Sequence, residues 1–130
     1  MIRMKKKLSS IGPDDQQAMS QMKQIRQAVY RLGGRQHKDC YATLCYAVYA
    51  VNRYQPELPQ MKTVWRDVLH LSRQPSPEAV SRALARAADD VWQNGDRATL
   101  AAIFCGQLRE KPTPKALIYA IAQQLWQEAV

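Results

Sequence analysis

Two arginines one helical turn apart, Arg82 and Arg86, are the side chains in this sequence best suited to chemistry with an anion. A guanidinium offers forked N–H donors that match phosphate oxygens, or the paired acceptors on the major-groove edge of guanine. Both lie in SPEAVSRALARAADDVWQNG, residues 76–95, which carries helix signals at its two ends. Ser76 supplies an N-cap hydroxyl, Pro77 fits the first helical position where its missing N–H costs nothing, and Glu78 puts a negative charge in the first turn. Asn94 and Gly95 supply the stop. Val80, Leu84, Ala87, Ala88, Val91 and Trp92 recur at helical spacing and mark a buried face. The other face, Ser81, Arg82, Ala85, Arg86 and Asp89, is slim apart from its arginines and has the shape to enter a DNA major groove. It is equally the pattern of a solvated face carrying an Arg/Asp pair.

Other chemistries find little support. No glycine-rich phosphate cradle and no zinc spacing occurs. One helix face does not present His37, Cys40 and Cys45 together, so no metal site is expected, and no cofactor. Asp89 and Asp90 diverge on a helix, which makes them poor partners for acid–base work. His70 has no catalytic partner in the sequence and suits a helix C-terminus. No catalytic residue is assigned, and the chain is not read as an enzyme. Its three cysteines lack CxxC spacing, as in a reduced cytoplasmic protein, and Cys40 and Cys45 sit in an apolar run as small hydrophobes. No segment reaches the roughly 18 apolar residues of a membrane span. The net charge of +8 points to an anionic partner, nucleic acid first. Its distribution is uneven: residues 1–53 carry ten Lys and Arg against three acids, residues 54–95 five against five, and residues 96–130 four against three. A DNA-binding surface must therefore gather cations from several elements.

The elements that must position Arg82 and Arg86 read as six helices. Residues 1–12, with Lys5–Lys7, are expected to form a basic flexible tail, and residues 13–130 a single helical domain. Pro13 with Asp14 and Asp15 opens the first helix, Met19, Met22, Ile25, Val29 and Leu32 form its apolar stripe, and Gly33–Gly34 ends it. Between Cys40 and Val51 only Thr43 is neither apolar nor aromatic; the length of the run favours a helix apolar on all sides, which belongs at the centre of a bundle. The third helix, from Pro59 to Leu71, packs through Met61, Val64, Trp65, Val68 and Leu69, leaving Lys62, Arg66 and Asp67 outside. Ser72 to Pro75 then turns tightly into the helix at Ser76, the outline of a helix-turn-helix. A short fifth helix capped by Asp96 runs to Phe104 and stops at Cys105–Gly106. The last begins at Thr113–Pro114 and packs through Leu117, Ile121 and Leu125, with Ile118 and Trp126 flanking. No strand is required, and the fold class is all-α.

Residues from about Ala28 to Leu125 resemble the C-terminal DNA-binding effector domain of the stage-zero sporulation initiation regulator, the master response regulator of endospore-forming bacteria. The resemblance rests on Leu32–Gly33, on Val80, Arg82–Ala83 and Ala87 running into Trp92 and Gly95, and on Lys111–Pro112–Thr113. It implies six helices, a helix-turn-helix from the third and fourth, insertion of the fourth into the major groove, and a base-contacting role for Arg82. It further implies contact between the sigma factor of RNA polymerase and the surface around Asp96, Arg97 and Thr99. The last helix, Thr113 to Trp126, would help successive domains associate head to tail on DNA. Two departures stand out. Where the family carries a second arginine and a glutamate on the reading side, this chain has Ala79 and Ser81, so the family's target sequence does not carry over. About 27 residues precede the similar region, too few for the family's phospho-receiver domain, so a stand-alone regulator is expected.

The combined reading is a sequence-dependent, cytoplasmic transcription regulator whose partner is double-stranded DNA. Arg82 would face base edges, Ser81, Ala79 and Ala85 would allow close approach, and Arg86, Arg73 and Ser76 would sit near phosphates, helped by the N–H groups at the helix start. The alternative is a protein–protein interaction module that kept the fold and lost DNA binding, suggested by the neutral balance of residues 54–95 and by Ala79 and Ser81.

Overall fold

The computed structural model describes residues 13–129, and the basic tail expected over residues 1–12 lies outside them. Six helices follow one another: α1 (Pro13–Arg31), α2 (Asp39–Asn52), α3 (Met61–Leu71), α4 (Pro77–Asn94), α5 (Arg97–Ile103) and α6 (Pro114–Ala129). The fold is all-α. The one β-type contact among the described residues is an isolated bridge between Gly33 and Gly95.

The apolar run at Cys40–Val51 forms the central helix, α2, which packs against α1, α3, α4 and α6. Nine of its residues are buried, Thr43 among them, because a helix surrounded by four others has almost no face left for water. Ile25, Val29 and Leu32 of α1, Val64 and Val68 of α3, Val80, Leu84 and Val91 of α4, Leu100 of α5, and Leu117, Ile118 and Ile121 of α6 complete the core. Ile118, expected at the flank, is fully buried. Met19, expected in the core stripe of α1, is 70% exposed. At 100° per residue it lies about 100° round the helix from the midline of Ile25 and Val29, beyond the reach of α2.

Asp67 departs furthest from its expected place. The sequence puts it outside the α3 stripe, yet it is 3% exposed. The Tyr54 hydroxyl donates to its Oδ2 at 2.8 Å, and Arg66 Nε stands 3.6 Å from Oδ1, so the buried carboxylate is both hydrogen-bonded and partly neutralised.

The far end of α4 is tied to the turn after α1. Asp96 N donates to Leu32 O at 2.7 Å. Gly33 and Gly95 pass so closely that a Cβ on Gly95 would lie 2.5 Å from the carbonyl oxygens of Leu32 and Val91. Beside this joint Asp90 is buried and accepts three hydrogen bonds: from Tyr41 Oη at 2.6 Å, from Arg35 N at 2.7 Å and from Asn94 Nδ2 at 2.8 Å. Burial by itself would raise its pKa, but these donors outweigh it and hold the carboxyl below its ordinary value. Burial first, and the bond to Asp90 second, push the Tyr41 phenol far up, so it remains a donor at any ordinary pH.

Candidate nucleic-acid interface

The α3–turn–α4 unit is built from local signals that the tertiary fold then anchors. Helix α3 closes with Ser72 N donating to Val68 O at 2.8 Å, and α4 opens with Ala79 N donating to Ser76 Oγ at 3.1 Å. Between them Gln74 N donates to Ser72 Oγ at 3.3 Å, and the Gln74 side chain reaches across to the buried Thr43 of α2, its Nε2 donating to Oγ1 at 3.1 Å. The single polar residue in the apolar run of α2 thus pins the turn to the central helix. Next to this pin a cleft of about 540 Å³, lined by Asp39, Tyr46, Leu71 and Arg73, separates the start of α2 from the turn.

Arg82 and Arg86 are exposed, as are Arg73 in the turn and Ala85 between the two helical arginines; Ser81 is half-exposed. Five of the seven residues expected at the interface therefore share accessible positions on the turn and α4. Ala79 does not. It is only 8% exposed, so the buried arc at the start of α4 is wider than the large apolar residues mark out. Ser76 is half-buried and spends its oxygen on the cap.

The start of α4 is also a weaker anion site than expected. Pro77 has no N–H, Ala79 N–H is held by Ser76 Oγ, and Val80 N–H by Ser76 O. Glu78 adds a negative charge in the same turn. An anion here would have to be met by arginine side chains rather than by backbone.

The acids that could neutralise those arginines are occupied elsewhere. Asp90, four residues after Arg86, turns inward to Tyr41 and Arg35. Asp89, three residues after Arg86, pairs with Lys111. Glu78, four residues before Arg82, does not reach ion-pair distance. Among the described residues neither Arg82 nor Arg86 has an ion pair or hydrogen bond, which removes the reading of this face as an Arg/Asp pair. Like charges four apart on a helix cost a few tenths of a kcal/mol, and here nothing within the fold offsets that.

Burial raises the pKa of the Cys40 thiol; Arg86 from α4 pulls it back, Asp90 adds to the rise, and Lys38, two residues before Cys40, lowers it again. Arg73 in the turn, Arg82 and Arg86 on α4, and Lys38 just before α2 are all exposed. Lys38 was not among the residues expected at the interface, because nothing local in the sequence marks it for a site.

The surface around α5 is organised differently. Asp96 Oδ1 accepts from the backbone N–H groups of Ala98 and Thr99 as an N-cap. The Arg97 guanidinium lies 3.5 Å from the centroid of the Trp92 ring and donates to Trp92 O at 2.7 Å. Thr99 is half-exposed. Asp96 and Arg97 are therefore engaged within the fold, although both remain solvent-accessible.

Among the described residues no group of His, Cys, Asp and Glu is arranged to hold a metal ion, and no helix is long and apolar enough to cross a membrane. Of the residues that carry the resemblance, Leu32, Gly33 and Gly95 form the joint between α1 and α4, Pro112 is buried, and Thr113 Oγ1 accepts from Ala116 N at the start of α6. Arg82, which the resemblance expects at a base-contacting position, is exposed. No family model matches the chain, and neither does any curated protein or solved structure.

Proposed function

We propose that this protein binds double-stranded DNA through a helix-turn-helix made of α3 and α4, and acts as a transcription regulator of the sporulation effector type. The observation that carries this reading is the exposed pair Arg82 and Arg86, one turn apart on a face of small residues, with their natural acid partners drawn away. Arg82 stands where the resemblance expects a base reader. Arg86, Arg73 and Lys38 supply phosphate contacts from α4, the turn and the loop before α2. The neutral balance of residues 54–95, the main argument for an interaction module, loses force because two of their five acids, Asp67 and Asp90, are buried and a third is paired with Lys111.

The test is selection from a random duplex pool at moderate salt, followed by titration of the selected sequence with the parent, Arg82→Ala and Arg86→Ala. Three phosphate contacts give a plot of log affinity against log salt a slope of about −3. Arg82→Ala is expected to lose about 1–3 kcal/mol on the selected site and to bind other sequences as the parent does. Arg86→Ala weakens all sequences alike and makes the salt slope shallower by about 1. A chain that selects no sequence and shows no salt-dependent binding would remove this reading and leave the interaction module.

A further inference from the structure

The outward face of α1 carries an unused combination of groups. Met19 and Tyr30 are each 70% exposed, the two most exposed large apolar side chains among the described residues. With Lys23 and Arg26, both exposed, they fall at steps of four, three and four, so all four lie on one stripe roughly 16 Å long. Tyr30, Arg26 and Lys23 border a shallow depression of about 420 Å³. Residues 16–31 contain no acid, and among the described residues neither Lys23 nor Arg26 has an ion pair. The stripe thus sets an exposed methionine, soft enough to adapt to an incoming apolar group, and an exposed aromatic ring on either side of two cations with no ion-pair partner.

We infer that this stripe docks an acidic segment of another protein, one with apolar side chains spaced to meet Met19 and Tyr30 and carboxylates to meet Lys23 and Arg26. Charge decides the occupant. The chain's own residues 1–12 bring four cations and no acid, and the same face of a second copy would set cation against cation. Duplex DNA would satisfy the cations but leave Met19 and Tyr30 facing backbone oxygens. The surface is separate from the proposed reading face. Helix α1 packs on α2 and α6, and its C-terminus joins α4 at Gly95, about 20 Å along the helix from Arg82. A DNA-bound domain would thus keep this stripe free, and the inference stands whether or not α4 binds DNA.

The probe is a fluorescein-labelled amphipathic peptide with Leu and Phe on one face and Glu on the other, titrated into the full chain at moderate salt. A pure glutamate peptide, a single-stranded oligonucleotide and vesicles of phosphatidylglycerol and phosphatidylcholine form the comparison arms. The amphipathic peptide is expected to bind tightest of the four. Lys23→Glu with Arg26→Glu, and separately Tyr30→Ala, each weaken it by about tenfold, whereas Arg82→Ala leaves it unchanged. These positions are exposed, so unchanged circular dichroism and melting show that the variants fold. Failure of the peptide to bind, equal binding by the α1 variants, or tighter binding of the oligonucleotide or vesicles overturns the inference.

Discussion

Removing the Asp90 carboxylate tests the joint that orients α4. In Asp90→Ala three donors lose their acceptor, but they lose unequally. The Tyr41 hydroxyl is buried, Arg35 N–H is partly buried, and Asn94 is exposed and can turn to water. The Arg35 guanidinium, 3.7 Å from Oδ1, has a side chain 57% exposed, so its ion pair is screened and contributes almost nothing. The cost is then one buried and one partly buried donor left unpaired at about 1–3 kcal/mol each, less about 0.5 kcal/mol for the better helix propensity of Ala, or about 3 kcal/mol in all. That is a large part of the total stability of a domain this size. Urea unfolding followed by circular dichroism at pH 7 measures it. Tyr41→Phe removes one orphaned donor in advance, so in its background Asp90→Ala should cost about 1–2 kcal/mol less. A loss below about 1 kcal/mol for Asp90→Ala, or an equal loss in both backgrounds, would refute the account. The pH dependence has a definite sign. The folded state holds Asp90 below its ordinary pKa of 3.8, so its contribution is complete above that value and is lost as the pH falls through the folded pKa. The stability gap between the parent and Asp90→Asn should accordingly be widest near neutrality and narrow below pH 3.8.

Two further outcomes follow from geometry. Gly95→Ala would force a methyl to 2.5 Å from two backbone carbonyl oxygens and split the Leu32–Asp96 joint; a drop in melting temperature of about 10 °C is expected, and unchanged melting would show that α1 and α4 do not meet there. Maleimide labelling near pH 7 should modify Cys105, which is exposed, and spare Cys40 and Cys45, which are buried; burial pushes the Cys45 thiol up to about 11. Mass spectrometry should find one label on the native chain and three in denaturant, and rapid native labelling of Cys45 would mean that α2 is not the central helix.

The order of six helices was legible because their signals are local: Ser76–Pro77 at the start of α4, Asp96 before α5, glycines after α1, and an apolar run in α2 too long for a strand. Exposure of Arg82 and Arg86 follows from the same periodicity. Only the folded chain decided what surrounds them. Asp67 and Asp90 carry the same charge as Asp89, and no local pattern distinguishes a carboxylate that a distant tyrosine will bury from one that water will keep; Tyr54 and Tyr41 make that choice across 13 and 49 residues of chain. Ala79 shows the same limit. The small side chain at the start of α4, read as part of an open face, is buried. Helix boundaries depend on neighbours in sequence, whereas the sign and accessibility of a surface depend on neighbours in space.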